Sequence, residues 1–248
     1  MPHMRDSFGA AWWQGYATRL RSLAAARGTD ALALIPLDEA ISALGRTTES
    51  DEGLRAVPLD GVVGTLARAA DFDRYFRPRN RALRDRWCAL AATAGELPPV
   101  RLVRLGEMYF VEDGHHRVAL ARARGAATIR AEVRAVCTVA FAMRCLTLAD
   151  LAVKTAERMF LERVPLADDL RTDLWLDDPG EWFRLADSAE AWGFRQTLRG
   201  RVLGDRAALA QAWWHEEVSP VVTALRERGL PAAARDIAAY VGYGLDHV

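Results

Sequence analysis

The chain has few of the features that mark several broad protein classes. Only three of its 248 residues are cysteine, Cys88, Cys137 and Cys145. Their number is odd and no Cys-x-x-Cys spacing occurs. This excludes a disulfide scaffold and points to a reduced, cytoplasmic protein with structural thiols. No run reaches the ~18 uncharged apolar residues of a membrane-spanning helix, so no membrane partner is expected. The opening stretch MPHMRDSFGAAWWQGYATRL is interrupted by Asp6 and Arg19 and holds no signal-peptide core. Net charge is absent as well, with Lys+Arg and Asp+Glu at 33 each. That removes a global pull toward nucleic acid or anionic lipid. Lysine is nearly missing: Lys154 stands alone among the arginines. Together with abundant alanine this reads as GC-rich coding and carries little functional weight. What remains is ordinary globular composition, 51% hydrophobic and 27% charged. It can build a sizeable core in one large domain or two modest ones.

The neutral total hides a segregation. Residues 68–134 carry 14 basic and 8 acidic side chains, whereas the segments before and after are net acidic. A basic island between acidic flanks is either a chance arrangement of solvated charge or the sign of an anion site.

Periodicity divides the chain further. An amphipathic helix is expected over about 7–27, ending at Gly28, with Trp12, Tyr16, Leu20 and Leu23 on one core or docking face. IPLDEAISALGR (35–46) and VPLDGVVGTLAR (57–68) echo one another, which suggests a repeated strand-to-helix entry with Asp38 and Asp60 as N-caps. Asn80 is placed to cap a helix from about 81 to 94, closed by Gly95. VRLVRL (100–105), a Gly106-Glu107 turn and MYFVE (108–112) read as an antiparallel hairpin. Asp113-Gly114-His115-His116-Arg117 follows, then a helix closed by Gly125. TIRAEVRAV (128–136) reads as another strand. Beyond about 140 the pattern is helical, roughly over 147–162, 186–201, 205–228 and 231–243.

The Asp113–Arg117 turn carries the chemistry. A helix N-terminus offers unpaired backbone N–H groups and the positive end of a macrodipole. Gly114 lets a ligand approach the main chain, and an arginine in the first turn adds a planar fork suited to phosphate oxygens. Gly114, His115, His116 and Arg117 thus have the parts of an anion cradle. The bland alternative is that Asp113 caps the helix and one histidine is a buried hydrogen-bonding residue. A metal site would need ligands from elsewhere, and His215 and Glu216 are not tied to the turn.

Residues 56–136 resemble the N-terminal domain of the ParB/sulfiredoxin superfamily. VPLDGVV (57–63) is similar to its opening strand, residues 97–125 to its hairpin, signature turn and helix, and TIRAEVRAV to its closing strand. The Asp-Gly-His-His-Arg turn is most similar to that of the free-serine kinases in the superfamily. The resemblance implies an α+β fold: a small mixed or antiparallel sheet of ParB/sulfiredoxin type, plus a mainly α-helical C-terminal domain. The domains it implies are a helical or extended segment over 1–55, a nucleotide-binding domain over 56–140 and a helical domain over 141–248. It also implies that Gly114, His115, His116 and Arg117 line the phosphates of ATP, ADP or CTP. Asp113 would hold Mg²⁺ or orient a hydroxyl. By the same resemblance Asp113 and His115 are candidate catalytic residues. Asp71 and Asp73 stand where the kinases use a glutamate, and either would be the base.

The implied activity is nucleotide binding, with NTP hydrolysis or phosphoryl transfer to a small-molecule acceptor, and a homodimer is compatible with it. Two departures narrow the reading. The turn has no cysteine, so sulfiredoxin chemistry is not expected. His116 replaces the arginine of partition proteins, which argues against a CTP-gated DNA clamp. DNA remains an alternative partner, with Arg74, Arg77, Arg79, Arg81, Arg84 and Arg86 tracking phosphates. No helix-turn-helix with a basic recognition helix accompanies them. A catalytically inactive interaction module, presenting WWHEEVSPVV (213–222), is the third reading.

Overall fold

The computed structural model describes residues 2–24, 30–93, 97–171, 174–231 and 235–244. It is an α+β protein with a mixed six-stranded sheet and a helical C-terminal part. Two compact units divide the chain. One takes in residues 1–42, 46–138 and 142–151; the other takes in 43–45, 139–141 and 152–248. The helix ends expected at Gly28 and Gly95 lie outside the described residues.

The first unit opens with helix α1, Pro2–Ala24. Among its described side chains Phe8, Ala11 and Gly15 are buried; of the expected face, Trp12 is half-buried against the core, Tyr16 and Leu20 are exposed, and Leu23 lies outside the described side chains. Gly15 lies on the buried face. The 73–77 loop packs against it, and a Cβ there would make ordinary contact with Arg77 Cβ at 3.4 Å and Asp73 Oδ2 at 3.5 Å.

The two echo segments part company. The first makes strand β1 (Ile35–Pro36) and helix α2 (Leu37–Leu44), the expected strand-to-helix entry. The second ends strand β2 (Arg46–Pro58), passes through a 3₁₀ turn at Leu59–Gly61 and continues as strand β3 (Val62–Thr65). Where the first copy has Glu39, Ala40 and Ile41, the second has Gly61, Val62 and Val63. Glycine and β-branched residues disfavour helix. Gly64 is also needed, because a Cβ there would lie 2.2 Å from the Phe110 ring. Neither aspartate is the N-cap expected. Asp38 lies inside the first turn of α2, and Asp60 lies in the 3₁₀ turn and pairs with Arg144 at 2.9 Å.

Helix α3 (Arg84–Ala91) follows a 3₁₀ turn that Asn80 caps through Ala82 N. Strands β4 (Val100–Leu105) and β5 (Met108–Asp113) form the expected antiparallel hairpin, closed between Leu105 and Met108. Helix α4 (His115–Ala123) and strand β6 (Thr128–Thr138) complete the unit. Strand order is β1-β3-β5-β4-β6-β2. The β1–β3, β3–β5 and β4–β6 pairs are parallel, the β4–β5 and β2–β6 pairs antiparallel. Residues 35–55 therefore contribute a strand and most of a second one to the same sheet. Val57, Val62, Val100, Leu102, Val111, Val118 and Val133 form its core with Phe72 and Trp87.

The second unit contains helices α5 (Leu151–Arg163), α6 (Asp168–Arg171), α7 (Pro179–Leu198), α8 (Arg206–Trp213), α9 (Ser219–Glu227) and α10 (Asp236–Gly244). A π-helical stretch, Trp214–Val218, joins α8 to α9. The core is aromatic: Phe160 lies 5.5 Å from Trp182, and Trp213 6.0 Å from Tyr240, between ring centroids. Lys154, the single lysine, is buried here and donates to the equally buried Glu157.

A candidate anion site at the start of helix α4

Strand β5 ends at Asp113, and the chain turns into α4 through Gly114 at φ 99° and ψ 24°. This left-handed conformation suits glycine. Glycine brings no capping side chain, and Asp113 does not cap the helix either. The first main-chain bond of the helix runs from Val118 N to Gly114 O at 3.0 Å. The amides of His115, His116 and Arg117 precede it and are the uncapped donors of the first turn.

A cleft of about 80 Å³ opens at this turn, lined by residues 113–117 together with Arg68, Arg86 and Leu90. Its size suits a few waters or one tetrahedral oxyanion. Arg86 comes from α3, is exposed and has no acidic partner among the described residues. Arg68 reaches in from a tight turn where it takes φ 68°, a left-handed value uncommon for a side-chain-bearing residue. It pairs with Asp71 Oδ2 at 2.6 Å. Three guanidinium groups thus surround the cleft, and Asp113 is the one carboxylate in its lining.

The two histidines differ. His115 Nε2 lies 2.7 Å from Thr65 Oγ1. That hydroxyl also contacts Ala67 O and accepts from Ala67 N at 3.0 Å. Burial, then the Arg68 charge, hold His115 below its ordinary pKa. His115 therefore ties α4 to the end of β3 as a neutral ring. His116 is 4% exposed, and neither ring nitrogen has a hydrogen-bond partner. Its ring meets Phe72 edge-on at 5.4 Å. Burial, with Arg68, Arg86 and His115 adding to it, pushes His116 down to about 4.

Arg117 is more committed than its position in the sequence suggests. One terminal nitrogen donates to Pro98 O at 2.8 Å and Pro99 O at 2.6 Å, and the other to Asp113. It is a strut that fastens the 98–99 segment to the turn. Asp113, its partner, remains 55% exposed at the rim. Asp71 is not in the lining of the cleft and is joined to it only through its pair with Arg68. Asp73 does not line it. Its buried carboxylate accepts from Tyr75 N and Arg77 N, both at 3.0 Å, and from Arg77 Nε at 2.8 Å. Those bonds build the 73–77 loop and leave little capacity for a general base. Arg68 and Arg86 are the site residues that local sequence does not reveal, because only the fold brings residues 68, 86 and 114 together.

No three-residue His/Cys/Asp/Glu cluster fit for a metal occurs among the described residues. Cys88 is half-buried, while Cys137 and Cys145 are exposed. The arginine run does not form one stripe. Arg74 donates to Arg144 O, Arg77 to Asp73 and Thr18, and Arg81 stacks over Trp12. Among the described helices none is long and apolar enough to cross a membrane. No family model, curated protein or solved structure matches the chain.

Proposed function

We propose that the chain binds a nucleotide by seating one of its phosphate groups in the cleft at the start of α4. The observation that carries this reading is His116. A buried imidazole with both nitrogens unpartnered is destabilising by about 1–3 kcal/mol per unmet group. It lies beside uncapped amides and cationic side chains. An oxyanion is the ligand that fits these features: it accepts from the amides, from Arg68 and Arg86, and from the one imidazole N–H of the neutral ring. The rest of the ligand lies outside so small a cleft. A nucleoside di- or triphosphate, suggested by the resemblance to the ParB/sulfiredoxin superfamily, meets that requirement.

Asp113 is the carboxylate at the rim that would share a Mg²⁺ with the phosphates, since this ion is commonly held by one or two carboxylates plus substrate oxygens. Phosphoryl transfer to water or to a small acceptor would then rest on positioning and charge. Asp71 is better placed than Asp73 to act as base. The scattered directions of the arginine run disfavour the DNA reading.

Calorimetric titration of ATP, ADP, CTP and inorganic phosphate, each with Mg²⁺, tests the proposal on the wild type and on Arg86→Ala. Arg86 holds no internal bond that the fold needs. Its loss is expected to weaken phosphate-bearing ligands by roughly 10-fold or more, as for a hydrogen bond to a charged group. Absence of binding by all four, or equal affinity in the variant, sinks the reading.

A further inference from the structure

Helix α1 turns an aromatic face outward. Trp13 is 59% exposed, and Tyr16 and Leu20, also exposed, follow it along the helix. Ring contacts make the patch continuous: Trp13 lies 4.9 Å from Trp12 and 5.7 Å from Tyr16, between centroids. All eight tryptophans fall among the described residues, and Trp13 alone of them is exposed. Trp213 and Trp214, in the 213–222 stretch expected to present an interaction surface, are buried. Beside the patch a groove of about 320 Å³ runs between α1 and residues 81–84, lined by Phe8, Gly9, Trp12, Trp13, Arg81 and Arg84. Gly9 borders open space, since a Cβ there would meet nothing within 4 Å. Arg81 lies over the Trp12 ring at 4.6 Å. Both arginines are exposed, and neither pairs with a carboxylate among the described residues. Residues 7–22 contain no Asp or Glu.

A contiguous exposed apolar patch rimmed by polar groups marks an interaction surface. Tryptophan, tyrosine and arginine carry most of the binding energy at protein interfaces, whereas aspartate, glutamate and lysine are depleted there. This face has that composition. Charge selects the partner. The polar side chains of the groove are two guanidinium groups and two indoles, all donors, with no acceptor side chain among them. A partner bearing carboxylates is matched and a basic one is repelled. Tyr16 and Leu20 carry the apolar surface beyond the groove, which suits a segment with one apolar and one acidic side. Two groove cations would neutralise few phosphates of a nucleic-acid strand. We infer that this face of α1 docks an acidic, amphipathic segment of a partner protein, with its apolar side chains on Trp13, Tyr16 and Leu20 and its carboxylates on Arg81 and Arg84. The surface shares no residue with the lining of the phosphate cleft and does not depend on it.

The probe is a short amphipathic peptide of leucine and glutamate. The same peptide with lysine in place of glutamate is the contrast, and the full chain is used throughout. The Trp13 indole N–H resonance, identified by its loss in Trp13→Ser, should move as the glutamate peptide is added and stay still with the lysine peptide. Added salt should weaken the response, because these charges are exposed. Arg84 holds no internal bond, so Arg84→Glu should fold as the wild type does. It should weaken the glutamate peptide by roughly tenfold or more and turn the preference toward lysine. Arg86→Ala should keep the full response, which separates this surface from the phosphate cleft. A still indole signal at millimolar glutamate peptide overturns the proposal, as does an equal response to the two peptides. Tighter binding of oligothymidylate or of phosphatidylglycerol vesicles at Trp13 overturns the choice of partner. So does self-association of the unliganded chain in sedimentation that Trp13→Ser abolishes, which would give the face to a second copy.

Discussion

Gly114 and Val100 sit so close that a Cβ on residue 114 would lie 2.5 Å from Val100 Cγ1 and 2.9 Å from Val100 Cβ. The end of β5 is pressed onto β4 at the point where the chain turns into α4. Gly114→Ala meets two penalties there. The left-handed backbone disfavours a side chain by about 1–2 kcal/mol, and overpacking adds roughly 1–3 kcal/mol. Urea denaturation should show a loss of about 2–5 kcal/mol. A variant as stable as the wild type would contradict the packing described for the turn.

His116 predicts a trade between stability and binding. His116→Phe removes two unmet polar atoms and keeps an aromatic ring against Phe72. Replacing a buried unsatisfied group with an apolar one of similar shape is neutral or stabilising. The variant should be more stable by about 1–2 kcal/mol and should bind phosphate more weakly. If it denatures earlier than the wild type, the unpaired state of His116 is wrong.

The same residue sets a pH dependence. The folded chain holds His116 at about 4, below the ~6.5 of an unfolded chain. The unfolded state therefore takes up the proton first as pH falls. Stability from this group is complete above about 6.5 and is lost as pH drops toward 4, by on the order of 2–3 kcal/mol. Denaturation midpoints measured across that window should fall in the wild type. His116→Phe should show a shallower fall, and parallel curves would refute the linkage.

Much of this site was legible locally. The hairpin, the Gly114 turn and α4 follow from alternation over 100–112, a two-residue turn and a glycine before a helical run. Strand β2 was not legible. RTTESDEGLRA is polar and mostly exposed, and it becomes a strand because β6 offers it a ladder from Arg46 to Pro58. Arg117 shows the opposite error. In the first turn of a helix it reads as a phosphate fork. Besides Asp113, its acceptors are carbonyls 18 and 19 residues upstream, and no local pattern announces those two.

That distinction can be measured. Arg117→Ala strands the Pro98 and Pro99 carbonyls and frees Asp113, so it should lower stability by about 2–3 kcal/mol. Arg86→Ala should leave the unfolding midpoint nearly unchanged and act on affinity instead. Finding the two effects exchanged would reassign the strut and the ligand-binding arginine.

The Lys154–Glu157 pair in the helical unit is buried on both sides, and Glu157 Oε1 has no donor. Burial raises the Glu157 carboxyl above its ordinary value even with the ammonium alongside. The folded chain thus keeps that proton longer than the unfolded chain. The sign is opposite to that of His116: this group favours folding at low pH, and the contribution fades as pH rises past the usual carboxylate range. Removing one partner should be severe. Lys154→Met leaves an uncompensated buried acid and should lose about 3–5 kcal/mol near neutral pH. Lys154→Met combined with Glu157→Leu should regain most of that, because apolar residues of similar volume replace buried ion pairs at little loss. The decisive quantity is the coupling from a double-mutant cycle by denaturant unfolding. A double variant no more stable than Lys154→Met alone would mean that the pair, rather than the packing around it, holds α5 in place.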